Sequence, residues 1–201
     1  MKLDTTTTYI LENDCVKLIP LQAEFIKYLL PFSENEPNLW NYSLTPANGW
    51  ENLEKYISAA LEKRSENDSY PFIVFDKKTE QYAGSTRFYD IQHHHNTVQI
   101  GYTWYGKDFQ GTGLNKNCKF LLLEFAFETI GVERVEFRAD ALNERSIAAM
   151  KSIGCIEEGI LRQNCASVMG RRDSIVFSIL KDEWFGSVKE RLRNKIEMKR
   201  N

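Results

Sequence analysis

Residues 102–119, "YTWYGKDFQGTGLNKNCK", run from an alternating aromatic stretch through glycines at 106, 111 and 113 into a helical pattern that opens with lysines. A helix N-terminus carries the positive end of the macrodipole, so cations in its first turns run against the field by about 0.3–1 kcal/mol each. Glycines before such a terminus let the backbone curl so that several N–H groups converge on one anion. Charge-assisted contacts of this kind contribute roughly 1.5–3 kcal/mol apiece. Two readings stay open on these residues alone: an anion site at a helix mouth, with Lys116 and Lys119 beside it, or a plain turn with both lysines in water.

Two phosphate-binding patterns fail on the residues themselves. Gly106 and Gly111 have P-loop spacing, but Thr112 and Gly113 stand where Lys and Ser/Thr are required. A dinucleotide fingerprint starting at Gly111 and Gly113 would need a third glycine where Lys116 stands, and an opening strand–helix–strand unit that is absent.

Around this stretch the hydrophobic period changes twice. "CVKLIPL" reads as a strand, "LQAEFIKYLLPF" as a helix stopped by Pro31, and "WENLEKYISAALEKRSEND" as an amphipathic helix with Leu53, Tyr56, Ile57, Ala60 and Leu61 on one face. The middle runs "YPFIVFD", "QYAGSTRFYDI" and "TVQIGYTWYG" are rich in aromatic and β-branched residues and predict an antiparallel meander. After the glycines, "LNKNCKFLLLEFAFETIG" carries Leu114, Cys118, Leu121, Leu122, Phe125, Ala126 and Ile130 at helical spacing, with Gly131 as its stop. "RVEFRADA" alternates as a strand, and this strand–helix–strand order predicts one parallel pair in an otherwise antiparallel sheet.

"NERSIAAMKSIG" predicts a helix capped by Asn143 with Gly154 past its end. "CIEEGILRQN" and "RDSIVFSIL" predict two further strands joined by "CASVMGR". A basic, helical tail follows, with Trp184, Val188, Leu192 and Ile196 on one side. The pattern divides into one α+β domain, 1–181, and the tail, 182–201.

Bulk properties narrow the function classes. The 201 residues are 42% apolar and 27% charged, which suits a single core. The formal charge of −2 gives no global pull toward nucleic acid or anionic membrane, so any anion site must be local. Cys15, Cys118, Cys155 and Cys165 lack metal-ligand spacing and read as reduced, buried thiols, and the N-terminal residues lack a secretory pattern. A cytoplasmic protein without membrane spans is the expectation, and a homodimer is left open. His93, His94 and His95 point in different directions from a turn, and no metal is expected. In the tail, Lys189, Arg191, Arg193, Lys195, Lys199 and Arg200 are interrupted by Glu190 and Glu197 without interleaved aromatics, which predicts a solvated helix over an RNA-binding one.

The segment Gln110-Gly111-Thr112-Gly113-Leu114-Asn115 resembles the acetyl-CoA signature Q/R-x-x-G-x-G/A of the GNAT superfamily of N-acetyltransferases, with Asn115 in the last place. "QIGYTWYGKDFQGTG" is similar to the fourth strand and pyrophosphate loop of the RimJ/RimL-like group, and "NERSIAAMKSIGC" to the family's N-x-x-S/A helix. The resemblance implies a GNAT fold: a mixed, mostly antiparallel seven-stranded sheet with splayed central strands, flanked by helices. It implies acetyl-CoA as cosubstrate, its pyrophosphate held by amides from Gln110 to Asn115 and its pantetheine paired with Trp104 and Tyr105 like an added strand. Asn143 would contact the pantetheine, with a simple helix cap as the alternative. The family's direct attack of a neutral amine on the thioester implies an oxyanion donor on the backbone near Tyr105, with Ser146 beside the sulfur or else a plain surface serine.

Two positions depart from common relatives. Gln99 stands where many carry a glutamate base, and Met150 where many carry a tyrosine acid. An α-amine of pKa about 7.7–8 is roughly 10–20% neutral at pH 7, whereas a lysine amine near 10.4 is neutral only to about 0.04%. Loss of the base therefore favours α-amines on small molecules, peptides or protein N-termini. Arg87 and Tyr89 share a strand face and either line the expected acceptor pocket, with Gln99, or form a structural pair; Trp40 and Trp50 either close the pocket or belong to the core. The same two departures motivate a rival, a non-catalytic acyl-CoA-binding protein, and the basic tail a third, a ribosome-associated partner.

Overall fold

The computed structural model describes residues 1–167 and 170–198. Eight strands form one sheet: β1 (Leu11–Glu12), β2 (Val16–Pro20), β3 (Ser69–Asp76), β4 (Gln81–Gln92), β5 (Thr97–Tyr105), β6 (Arg134–Asp140), β7 (Ile156–Ser167) and β8 (Gly170–Leu180). Their spatial order is β1-β2-β3-β4-β5-β6-β8-β7. The meander is antiparallel, and β5–β6 is the parallel pair that the intervening helix requires. The eighth strand beyond the expected seven is β1, whose two residues are too short for any alternation to be legible.

Helices α1 (Ile26–Asn35) and α2 (Trp50–Ser65) cover one face of the sheet, where Leu29, Leu53, Tyr56, Ile57 and Ala60 pack with Trp40, Ile73 and Trp104. The opposite face carries the larger core around α3 (Leu114–Glu124), including Phe72, Phe88, Ile100, Leu122 and Phe137. Past Glu124 the helix widens into a π turn over Phe125–Ile130 before Gly131 ends it at φ 72°. Phe125, Ala126 and Phe127 are all buried there, with Phe127 stacked on Trp184 at 5.7 Å. α4 (Glu144–Ser152) follows β6.

Pro31 does not stop α1, which continues to Asn35. Pro31 is exposed, so the Lys27 carbonyl that loses its partner faces water and the missing bond is tolerated there. "CASVMGR" is not simply a connection: β7 runs to Ser167 and β8 starts at Gly170, and Val168 and Met169 lie outside the described residues. Cys118 and Cys155 are buried, whereas Cys15 and Cys165 are only half-buried, and none of the four is in a disulfide.

The C-terminal segment folds as α5 (Lys181–Glu183), a π turn (Trp184–Val188) and α6 (Lys189–Glu197), placing Trp184, Val188, Leu192 and Ile196 in the α3 core. Three of its described cations reach back to the protein's own body. Lys189 pairs with Glu124 and Glu128, Arg193 lies 3.9 Å from Glu124, and Lys195 donates to the Ser152 carbonyl. Lys199 and Arg200 lie outside the described residues. Among the described residues no helix is long and apolar enough to cross a membrane.

Candidate active site

β5 pairs with β4 over nearly its whole length but with β6 only at Thr97–Gln99 against Arg134–Glu136. Beyond Gln99 the two strands part, and β6 goes on to pair with β8 as far as Asp140. The sequence supplies a local cause: Tyr102 takes φ 49°, and the β4–β5 register shifts between Ser85 and Arg87. Such a bulge bends the strand and turns it away from its neighbour. Gly106 donates to Ala83 of β4 at 2.9 Å. By the alternation of strand groups, Trp104 directs its main chain to β4, and Tyr105 directs its N–H and C=O into the opening. The Tyr105 carbonyl accepts from the Gln110 side chain at 2.7 Å, which leaves its N–H for a ligand.

The glycines then shape the helix mouth. Gly111 (φ 76°) and Gly113 (φ 100°) both adopt left-handed backbone, and Gly113 is the residue from which α3 starts. The Thr112, Gly113 and Asn115 amides donate to no acceptor among the described residues, whereas the Gln110 amide is held by Lys107 O and that of Leu114 lies 3.3 Å from the Thr112 hydroxyl. A cleft of about 260 Å³ opens here, lined by Thr112, Gly113, Lys116 and Asn117 and by two lysines from elsewhere, Lys78 and Lys195. Asn115 turns its side chain inward to accept from the Tyr105 hydroxyl at 3.2 Å. Burial pushes that phenol well above its usual range.

Lys119 lies elsewhere. Its ammonium is buried against the sheet, 2.7 Å from the Thr103 hydroxyl and 3.4 Å from that of Thr86, and burial pulls its pKa down to about 8. Of the two lysines expected at the anion, only Lys116 lines the cleft.

Asn143 caps α4, its side-chain oxygen accepting from the Ser146 amide at 3.0 Å. The Ser146 hydroxyl is half-buried and has no partner among the described residues. Met150 is in the core. Asn143→Ala is expected to lower unfolding free energy by about 1 kcal/mol, read as a shift in urea midpoint without a change of slope.

An open strand edge beside a glycine-cradled helix start is the arrangement that the sequence resemblance anticipates. The family model described as "Acetyltransferase (GNAT) domain" matches residues 18–156. The chain belongs to the GNAT acetyltransferase family. YdaF of Bacillus subtilis, provisionally named a ribosomal N-acetyltransferase, is 32% identical over 104 residues, 52% of this chain and 56% of that protein. The aligned stretch thus spans little more than half of this curated relative. A crystal structure from T. thermophilus, provisionally named an acetyltransferase, is 32% identical with TM-score 0.82, covering 92% of this chain and 96% of its own. A GCN5-related N-acetyltransferase from Brucella melitensis, 24% identical, shares the fold at TM-score 0.86 over 94% of this chain and 85% of its own.

On the α1–α2 face of this GNAT domain, the β5–β6 opening is bordered by groups of which the sequence indicated some. Arg87 is buried with its guanidinium 3.9 Å from the Tyr102 ring centroid and 4.8 Å from that of Tyr56. Tyr89 packs edge-on against Tyr102 at 5.1 Å, and burial pushes its phenol upward. Gln99 donates to Asp90 at 2.6 Å while its buried Oε1 has no partner. Asp90 escaped the sequence reading because its approach depends on a φ of 49° in a β4 irregularity. Trp40 is buried 5.3 Å from Trp104, whereas Trp50, at the start of α2, is 49% exposed. Arg172 of β8 reaches the Tyr42 carbonyl at 3.4 Å, joining the loop after Trp40 to the far side of the opening. His93, His94 and His95 lie exposed in a turn, and no group of three metal-ligating side chains occurs among the described residues.

Proposed function

We propose that this protein transfers the acetyl group of acetyl-CoA directly to a primary α-amine of a small molecule, a peptide or a protein N-terminus. The observation that carries this reading is the unpaired edge of β5 past Gln99, lying beside the open amides of Thr112, Gly113 and Asn115. Those amides and Lys116 suit a diphosphate, and the free edge suits a pantetheine arm added as a strand. When bound, acetyl-CoA supplies a thioester carbon open to attack by a neutral amine.

The protein's part is position and electrostatics. The Tyr105 N–H is the candidate donor to the developing oxyanion. Gln99 cannot accept a proton, but its orphaned Oε1 can accept a hydrogen bond from the amine, with Asp90 fixing the amide's orientation. Acceptors that arrive neutral need no strong base, which supports α-amines over lysine side chains. The naming of YdaF keeps ribosomal protein N-termini within the range of acceptors. Four cysteines outside any disulfide fit a reducing cytoplasm.

The Ser146 hydroxyl is free to donate to the departing sulfur. Ser146→Ala is expected to lower kcat about tenfold, the worth of one hydrogen bond to a charged group, with little change in KM for either substrate. A thiol-release screen over amino acids, short peptides, polyamines and aminoglycosides tests the whole reading. Acetyl-CoA binding without thiol release from any amine would refute it, as would equal turnover of lysine side chains and α-amines for the acceptor class.

A further inference from the structure

Arg87 is a charged side chain without the partners that burial demands. It is 5% exposed, yet none of its N–H groups meets an acceptor among the described residues, and its Nε is closed off with nothing to donate to. No carboxylate lies within ion-pair distance of it among those residues. Nearby Arg134 and Arg138 differ: both engage Glu136, and Arg134 also engages Glu158. Tyr102 and Tyr56 hold the guanidinium of Arg87 through their ring faces. Such contacts leave in-plane N–H groups free, and that planar fork is the part of arginine matched to a carboxylate.

Its place in the sheet gives the fork an address. Arg87 stands opposite Gly101, and the next pair on the same face is Tyr89 with Gln99, the last residue of β5 that pairs with β6. Gln99 Oε1, another orphaned polar atom, is therefore one same-face step away, roughly 7 Å along the strand before the side chains reach out. Across the opening Arg172 repeats the condition: 8% exposed, its Nε without a partner, and its side chain's one bond among the described residues the 3.4 Å contact to the Tyr42 carbonyl. Two acidic groups on this face are engaged, Asp90 by Gln99 and Gln92, Glu136 by the two arginines.

We propose, resting on the acetyl-transfer reading above, that Arg87 receives a carboxylate carried by the acceptor a few bonds from its amine, with Gln99 taking the amine and Arg172 adding positive charge across the opening. The site then selects amines with an adjacent anion and rejects polyamines. The carboxylate has two sources, the α-carboxylate of a free amino acid or the side chain of an N-terminal acidic residue.

The test compares kcat/KM for free amino acids with those of their carboxamides, at equal concentrations of neutral amine and saturating acetyl-CoA. A second arm compares tripeptides beginning with Asp and with Asn. In at least one arm the carboxylate form is expected to be favoured tenfold or more, and the arm that responds identifies the source. Arg87→Gln should bring that ratio near one by raising the acceptor KM, with the acetyl-CoA KM unchanged, and Arg87→Lys should restore part of it. Ratios near one in both wild-type arms, better turnover of spermidine, or a ratio that survives in Arg87→Gln overturns the proposal. Should Arg87→Gln not fold, the wild-type arms still decide. No turnover in either arm, with intact calorimetric binding of acetyl-CoA and thiol release from some other amine of the screen, sinks the carboxylate site alone; no thiol release from any amine, or no heat at all, sinks the acetyl-transfer reading beneath it.

Discussion

Gly84→Ala is expected to destabilise the protein by about 3 kcal/mol or more and to weaken acetyl-CoA binding in whatever fraction stays folded. Gly84 has φ 154°, and a Cβ placed on it would lie 2.1 Å from the Trp104 carbonyl oxygen and 2.9 Å from the Tyr105 Cα. Both neighbours are backbone, so no side chain can swing aside. Relief requires β4 and β5 to separate where Tyr105 presents its edge to the opening. Gly159→Ala is the control: its φ is 147° but nothing lies within 4 Å of the added methyl, so dihedral strain of about 1–3 kcal/mol acts alone. Urea unfolding separates the two, and calorimetry with CoA reads the edge. A Gly84→Ala protein as stable as Gly159→Ala would show that the β4–β5 approach can relax.

That close approach illustrates which features were legible in the sequence. The alternating runs at 69–76, 81–92 and 97–105, the helix after Gly113 and the Asn143 cap depend on local periodicity and backbone freedom, which neighbouring residues encode. The parallel pair followed from chain order alone. Hidden features were those in which a contact distant in sequence changes a local preference. Pro31 reads as a stop unless its exposure is known, and the π turn at Phe125–Ile130 answers Trp184, which joins it from the far end of the chain.

The site divides along the same line. Gln110 to Lys116 could be placed at a helix mouth from spacing, but nothing in the sequence said that the Gln110 amide would be used by Lys107 while its side chain covers Tyr105. Arg87 and Tyr89 could be put on one face by period two. Their partners Tyr56 and Tyr102, and Arg172 beyond them, come from three other elements and needed the fold. Lys119 and Lys116 both follow the glycines and read alike in sequence; that the Lys119 ammonium reaches the Thr103 hydroxyl of β5 depends on how α3 packs on the sheet.

Lys119→Met is expected to stabilise the apo protein by up to about 3 kcal/mol at neutral pH. The ammonium is fully buried, 5.9 Å from the Phe137 ring centroid, and among the described residues it hydrogen-bonds to two hydroxyls; those are already hydrogen-bonded to each other at 2.7 Å, so removing it orphans neither Thr86 nor Thr103. Burial lowers its pKa from 10.5 to about 8, a difference that corresponds to roughly 3 kcal/mol. Below pH 8 the group is protonated in the folded and unfolded chains alike, and the folded state bears the whole desolvation penalty. Between pH 8 and 10.5 the folded protein has released the proton while the unfolded chain still binds it, so stability from this group rises with pH. Above 10.5 the penalty is gone. The advantage of Lys119→Met should therefore be largest at pH 7 and shrink steadily toward pH 10, measured as the mutant-minus-wild-type difference so that other titrating groups cancel. A difference that is flat with pH would mean the ammonium keeps its ordinary affinity for protons and is better solvated than its burial implies.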